Sequence, residues 1–404
     1  MTSRVPASAR RVVVTHALRT PIGRFMGGLS TLSAADLGVA AAAPLLERSG
    51  IEPGDVGEVF IGNGRQAGGG PNVARQIAVR SGLPETVSAT TINMACGSGL
   101  KSISLGVDQI RLGRRDVVMA GGVESMSRLP FFLPDMRRGY RLGHAKVVDG
   151  MYQDGFQCPL ADMLMGETAE KLAKQLGIGR EEQDEYARET QARAGEAMEA
   201  GRFQDEVVEV EVSGRKGSTF VDKDEHVRPG TTMEQLGKLP PVFDREAGTV
   251  TAGNASGITD GAAVLLLMSE DAARDRQLEP LAYVGETRDA GVDPSVMGLG
   301  PVPAVRALSE ANGLSVGDYD LVELNEAFAA QVLACDRELA IPRDRLNVNG
   351  GAIALGHPIG ATGARIVITL LHELRRRDGE HGLATLCISG GMGIATAFHR
   401  TPPA

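Results

Sequence analysis

The chain has 404 residues, a formal charge of −9, 52 glycines and no tryptophan. That length exceeds what one hydrophobic core usually organises and predicts two or three domains. The acidic balance argues against nucleic acid, which wants a basic face, while leaving room for one small anionic ligand held by a local basic cluster. Four widely spaced cysteines (Cys96, Cys158, Cys335, Cys387) form no Cys-x-x-Cys pair and no cluster with histidines. Their spacing predicts free thiols in a reducing, cytoplasmic setting, with no disulfide framework and no bound metal. No apolar run approaches a membrane span. Met1–Arg11 carries three arginines and no acid, but lacks the apolar core of a signal peptide.

In chain order, a strand is predicted over Arg11–Val14, a turn over Arg19–Gly23, and a helix over Ala34–Arg48 capped by Ser33. Strand Glu58–Gly62 precedes a helix over Asn72–Ser81. Strand Ser88–Asn93 leads into Cys96, a helix over Gly99–Leu112 leads away from it, and strand Asp116–Gly122 closes the block. Between Leu129 and Asn254 the periodicity breaks down. Arg137–His144 reads as a loop, Gly166–Leu176 and Glu181–Gly201 as helices, and Glu206–Val212 as an exposed strand. An insertion of this kind is where a cleft cover and substrate contacts are expected. Alternation then resumes with strand Leu281–Gly285, helix Val302–Asn312, strand Leu321–Leu324, helix Thr362–Arg377 and strand Leu383–Cys387.

The second block echoes the first in two places. Asn93…Cys96-Gly-Ser-Gly followed by a helix matches Asn349…His357-Pro-Ile-Gly followed by a helix, and Val117–Gly122 matches Thr385–Gly391. Alternating strands and helices predict a wound sheet buried on both faces. We therefore expect two similar α/β halves, each offering one helix mouth to a shared cleft. Residues 1–128 with about 255–278 would form one half, 279–404 the other, and 129–254 the insertion.

Each chemical candidate has an ordinary structural reading beside it. A cysteine in a strand-to-helix turn is more often a small buried hydrophobe than a nucleophile. At Cys96, however, Gly97 and Gly99 clear an approach to the sulfur, and a helix N-terminus is expected to lower the thiol pKa and offer N–H groups to an oxyanion. His357 reads as a turn cap, yet Gly350, Gly351, Gly356, Gly360 and Gly363 surround it and suggest backbone lying against a ligand. A histidine of near-neutral pKa there would take a thiol proton and also donate to a developing oxyanion. Cys387 is either a core thiol or a group for proton abstraction beside a thioester. Asn325 is either the N-cap of a following helix or a carboxamide holding a water.

Taken together, Asn93-x-x-Cys96-x-Ser98-Gly99, Asn325-Glu326-Ala327-Phe328, Gly350-Gly351-Ala352-Ile353-Ala354-Leu355-Gly356-His357-Pro358-x-Gly360 and Cys387-x-x-Gly390-Gly391-x-Gly393, in that order, resemble the thiolase family. The similarity extends to Met165–Glu170, Gly201–Phe203 and Gly248–Ser256. It implies an α/β, five-layered fold of duplicated wound halves with an inserted loop domain that binds coenzyme A. It also implies an acyl-CoA C-acyltransferase using CoA, acetyl-CoA and acyl-CoA as substrates, with no metal or bound cofactor. Cys96 would carry the acyl group, His357 would accept its proton, Cys387 would transfer the proton at the α-carbon, and Asn325 would hold an oxyanion-hole water. Backbone N–H groups of Cys96 and Ser389 would form a second hole. By the same resemblance Arg228, Phe243 and Ser256 match CoA contacts, and Met165, Met297 and Phe328 line the acyl end. Arg215, Lys216 and Lys223 read as a solvated surface turn.

Leu164 stands where short-chain members usually carry histidine, Ser389 where they often have glycine, and Pro130–Cys158 departs from their pattern. These departures favour a broad-range 3-ketoacyl-CoA thiolase over a short-chain acetyl-CoA C-acetyltransferase. A decarboxylating ketosynthase has no use for a second catalytic cysteine, and a silent acyl-CoA or sterol carrier would have lost part of the Cys96, Asn325, His357, Cys387 set. A homodimer or homotetramer is expected, and membership of a complex with a hydratase/dehydrogenase subunit stays open.

Overall fold

The computed structural model describes residues 10–402 apart from 216, so the leader reading of residues 1–9 and the surface-turn reading of Lys216 lie outside the described residues. Most of the chain is organised around one ten-stranded mixed sheet. Its longer strands are β1 (Val12–Arg19), β2 (Glu58–Gly62), β3 (Ser88–Ile92), β4 (Val117–Ser125), β5 (Thr259–Ser269), β6 (Ala282–Gly291), β7 (Leu321–Leu324), β8 (His381–Ile388) and β9 (Met392–His399). They run in the order β7-β8-β9-β6-β1-β5-β4-β2-β3. Within the sheet, the described residues join the halves through the pairs Val13–Tyr283 and Val14–Ala282 of β1 and β6. Outward from that seam the two halves repeat one plan, β1-β5-β4-β2-β3 against β6-β9-β8-β7. Leu346, bridged in parallel to Val322, stands where β3 stands in the first half. The duplication read from the sequence is present in the strand order itself.

Three apolar cores separate five layers. On the outer face of the first half lie α1 (Ala34–Ser49) and α2 (Val73–Arg80), with Leu37, Leu45 and Ile77 fully buried against the sheet. The central layer holds α3 (Ser98–Arg111) and α8 (Ile359–Arg377), enclosed by residues of both sheet halves, from Val118 and Leu265 to Leu386 and Phe398. On the far side, α6 (Pro301–Asn312) and α7 (Ala329–Leu339) pack with α4 (Met165–Leu176) of the insertion. Local chemistry sets the helix ends. Ser33 accepts from the Asp36 N–H at 3.1 Å while the Asp36 carboxylate accepts from the Ser33 N–H at 2.8 Å, a reciprocal cap for α1. Gly50, at a φ of 63°, ends the helix in the left-handed region that glycine adopts without strain.

What positions the site is the crossing of α3 and α8. A Cβ on Gly99 would lie 2.8 Å from the Ala364 nitrogen, and one on Gly363 would lie 2.3 Å from the Leu100 nitrogen. One on Gly122 of β4 would lie 1.9 Å from the Gly360 carbonyl oxygen. Backbone therefore packs on backbone, and the N-terminal mouths of α3 and α8 open side by side.

Several elements differ from the sequence expectation. Pattern does not single out β5, because a strand covered on both faces shows no alternation, and all eleven of its residues are buried. β9 escapes for the same reason. Helix α8 starts at Ile359 instead of Thr362, since Pro358 lacks only an N–H that the first turn leaves unpaired anyway. The helix after Asn325 begins at Ala329 with Phe328 as its cap, so Asn325 is not an N-cap. The strand expected over Glu206–Val212 is Val210–Gly214, hairpinned to Gly217–Val221, and its Val210 and Val212 are buried, not exposed. Glu206 instead accepts from the buried Arg19 Nε at 2.7 Å, with Asp224 taking Nη1 at 2.7 Å, which ties the insertion to β1. No helix among the described residues is long and apolar enough to cross a membrane.

Candidate active site

Cys96 sits in the tight turn between β3 and α3. Ala95 takes a φ of 46°, rare for a residue with a side chain. Asn93 Oδ1 accepts from the Ala95 N–H at 3.0 Å, while Ser98 Oγ accepts from the Met94 N–H at 2.9 Å and donates to the Ala95 carbonyl at 2.7 Å. These bonds hold the turn in place. Gly97 gives Ile388 room beside it, since a Cβ there would stand 2.5 Å from Ile388 Cδ1. Cys96 is half-buried and lines a cavity of about 300 Å³.

His357 reaches the same cavity from the other half. Gly356, at a φ of 108°, turns the chain against Thr259, where no Cβ fits. The His357 N–H donates to the Gly257 carbonyl at 3.0 Å. Its Nδ1 lies 2.6 Å from Thr362 Oγ1, whose hydroxyl donates to the Pro358 carbonyl at 3.0 Å. With the hydroxyl hydrogen used there, Nδ1 carries the imidazole proton and Nε2 is left as the acceptor. Nε2 is buried and has no partner among the described residues. Burial, followed by the positive charges of Arg65 and Arg365, holds the imidazole pKa down at about 3. The near-neutral value expected from the sequence is corrected: His357 rests as a neutral base.

Cys96 needs a matching correction. Burial raises its thiol pKa, although the N–H groups of Ser389 and of Cys96 itself, and the charge of Arg65, pull the other way. The helix mouth alone does not produce a resting thiolate. Cys387 ends β8 fully buried, and burial pushes its thiol well above the usual range, with a Cys96 thiolate pushing in the same direction. Cys96, His357, Cys387 and Ser389 all line the one cavity, and all four cysteines are free.

The predicted substrate contacts divide. Leu164, Met165, Phe243, Ser256, Met297 and Phe328 line the same cavity. Phe243 meets Phe328 edge to face with centroids 6.4 Å apart, and it covers Gly166, where a Cβ would stand 1.9 Å from its ring. Arg228 is not in this cavity. It is exposed and borders a second one of about 340 Å³ with Gln235, Leu239 and Gly253 of the insertion. Arg215 and Lys223 are exposed, as a surface turn requires. Asn325 is fully buried and does not itself line the cavity, although Ala327 and Phe328 just after it do; its N–H donates to the Thr385 carbonyl at 3.0 Å. Both its amide atoms lack partners among the described residues, an arrangement that suits a bound water.

Two residues beside Cys96 and His357 in the fold escape a reading by sequence, Arg65 in the cavity wall and Glu124 bonded to its backbone. Glu124, at the end of β4, accepts from Asn63 Nδ2 at 2.6 Å and from the N–H groups of Gly64, Arg65 and Gly360 at 2.9–3.2 Å. It joins the loop after β2 to the mouth of α8, and burial raises its pKa to about 7. Arg65, in that loop, lies in the cavity wall. The only sequence signal is that Glu124 lies at the end of one buried strand and Arg65 follows another.

Comparison with known proteins gives this geometry a context. The thiolase N-terminal domain model matches residues 12–271, and the thiolase C-terminal domain model matches 278–400. An acetyl-CoA acetyltransferase of Pseudomonas aeruginosa is 51% identical over 390 residues, covering 96% of this chain and 99% of that one. The structure of Bacillus anthracis acetyl-CoA acetyltransferase is 45% identical with a TM-score of 0.95, covering 97% of this chain and 99% of that one. Human mitochondrial 3-ketoacyl-CoA thiolase in complex with CoA is 44% identical with a TM-score of 0.93, covering 98% and 99%. With two thiols and an imidazole facing one cavity between duplicated halves, and with both domain models spanning nearly all of it, the chain belongs to the thiolase family.

Proposed function

We propose that this acyltransferase cleaves 3-ketoacyl-CoA with CoA, and runs the reverse condensation with acetyl-CoA, over a broad range of acyl lengths. The observation that carries the reading is the convergence of Cys96, Cys387 and the unpartnered Nε2 of His357 on one cavity.

In the cleaving direction, His357 Nε2 takes the Cys96 proton and the thiolate attacks the keto carbonyl. The imidazolium and the Asn325 water stabilise the resulting oxyanion. The bond between the α- and β-carbons breaks, leaving an acyl group on Cys96 and an enolate of acetyl-CoA, which Cys387 protonates. The enolate oxygen is stabilised by the N–H groups of Cys96 and Ser389. The incoming CoA thiol returns its proton to Cys387 and attacks the acyl group, and the freed Cys96 sulfur recovers its proton from His357. Burial of Cys387 serves this cycle: a thiol of raised pKa is a stronger base once ionised, which narrows its gap to a carbon acid. No step passes through a metal or bound cofactor.

An apolar wall of Leu164, Met165, Met297 and Phe328 supports acyl chains longer than two carbons. In the same reading residues 129–254 receive CoA, with Arg228 in the neighbouring cavity, and the protein is a cytoplasmic homodimer or homotetramer. Co-purification of a hydratase/dehydrogenase would separate membership of a larger complex from a free enzyme. The alternative is a short-chain acetyl-CoA C-acetyltransferase, and the names of the relatives cover both readings, acetyl-CoA acetyltransferase in Pseudomonas and 3-ketoacyl-CoA thiolase in the human protein. Cleavage rates for 3-ketoacyl-CoAs of increasing length, beside a Cys96→Ala control, decide between them. Activity confined to acetoacetyl-CoA would overturn the broad-range reading, and activity surviving in the control would overturn the mechanism.

A further inference from the structure

Arg65 has no part in the steps above, yet it is only 5% exposed and lines the cavity that holds Cys96 and His357. Its guanidinium is clamped. Nη1 donates to the Met151 carbonyl at 2.8 Å, the group lies over the Phe156 ring at 4.7 Å, and Gly155 backbone closes on it so tightly that a Cβ there would stand 1.5 Å from Nη1. Nε and Nη2 are buried and have no partner among the described residues. These two N–H groups point in parallel along one edge of the guanidinium, the fork that matches both oxygens of a single carboxylate.

The protein's nearby acids do not fill that fork. Glu124 already accepts four N–H groups, from Asn63 and Arg65 on Oε1 and from Gly64 and Gly360 on Oε2. Asp149 is turned to the Met151 N–H at 2.8 Å. Asp154 is exposed and lines the cavity, while the guanidinium donates to the Met151 carbonyl instead. The charges of Glu124, Asp154 and Asp149 act on the guanidinium without bonding to it, so its Nε and Nη2 N–H groups still lack an acceptor among the described residues. Arg65, Cys96 and His357 line one cavity of about 300 Å³, which puts Arg65 on the wall of the space that an acyl chain attached to Cys96 enters.

We infer that Arg65 receives a carboxylate at the far end of the acyl chain, so that the enzyme accepts 3-oxoacyl-CoAs derived from dicarboxylic acids. The inference rests on the thiolase reading and sharpens its substrate class. A neutral chain end of the same length leaves the fork unpaired, whereas a carboxylate closes it with two charge-assisted bonds.

The test is CoA-dependent cleavage of 3-oxoadipyl-CoA against 3-oxohexanoyl-CoA, which has a methyl group in place of the carboxylate. Wild-type enzyme, Arg65→Leu and Arg65→Lys are compared, with thermal midpoints as a check on folding. The wild type is expected to favour the dicarboxylate substrate by about tenfold or more in kcat/KM. Arg65→Leu should reduce that preference by about a hundredfold, chiefly through KM, and Arg65→Lys should restore only part because an ammonium lacks the fork. A wild type that favours the neutral substrate overturns the inference whether or not the variants fold. Equal losses on both substrates in Arg65→Leu also overturn it, by assigning Arg65 to the Cys96 thiolate. No cleavage of either substrate or of acetoacetyl-CoA would instead bring down the thiolase reading.

Discussion

Replacing Thr362 by valine removes a hydroxyl and leaves the side-chain volume nearly unchanged at a fully buried position. The loss falls on the 2.6 Å contact to His357 Nδ1. A buried N–H without an acceptor is disfavoured by about 1–3 kcal/mol. The imidazole has two ways to respond: it keeps the proton on Nδ1 and bears that penalty, or it moves the proton to Nε2 and ceases to be an acceptor for the Cys96 thiol. Either response disfavours ionisation of Cys96, the first by leaving the Nδ1–H of the resulting imidazolium without an acceptor, the second by removing the base. At about 1.4 kcal/mol per factor of ten, kcat/KM for 3-ketoacyl-CoA cleavage should fall by about 5- to 150-fold. Thr362→Ser retains the hydroxyl and deletes one buried methyl, so it should lose about 1 kcal/mol of stability but recover most of the activity. The assay is steady-state CoA-dependent cleavage, with urea unfolding run in parallel. A valine variant as active as wild type, or a serine variant as impaired as the valine, would refute the tautomer argument.

The resting state of the thiol is open to a pH test. With Cys96 raised by burial and His357 held at about 3, the pair rests as thiol and neutral imidazole, so iodoacetamide labelling of Cys96 should accelerate with rising pH and show no plateau below about pH 8.5. A plateau already reached at about pH 6 would mark a thiolate–imidazolium pair and contradict it. Asn325→Ala should lower kcat by about 100- to 1000-fold while leaving the urea midpoint unchanged or higher, because both amide atoms are buried without partners. A large loss of stability would show that the amide is structural. In Gly122→Ala the new Cβ would stand 1.9 Å from the Gly360 oxygen, so urea unfolding should show a loss of about 3 kcal/mol or more. A loss below about 1 kcal/mol would mean that α8 does not seat on β4 as described.

The candidate chemistry was legible where it is carried by short, local patterns. Cys96, His357 and Cys387 each sit among glycines at the end of a strand or the mouth of a helix, and that arrangement needs no knowledge of the rest of the chain. The layout of the halves was legible for the same reason, since Val117–Gly122 and Thr385–Gly391 resemble one another directly. What escaped depends on distant partners. β5 pairs with strands on both sides and is covered on both faces, so no periodicity marks it. Glu124 and Arg65 meet across about sixty residues of sequence, and only the fold shows that one is saturated with N–H donors and the other is not. The thiol and imidazole pKa values went the other way from the local expectation because a helix mouth is a local property and desolvation is a tertiary one. Arg228 fell in a second cavity because the insertion's path over the sheet has no signature in pattern.

The central claim is that the two halves cooperate through a covalent intermediate on Cys96. The direct measurement is peptide mass spectrometry of the protein quenched in acid after mixing with acetyl-CoA in the absence of a second substrate. The account predicts one added acetyl group on the peptide bearing Cys96, removed when free CoA is supplied and missing in Cys96→Ala. An acetyl group on Cys387 instead, or turnover with no acetylated cysteine in wild type, would contradict it.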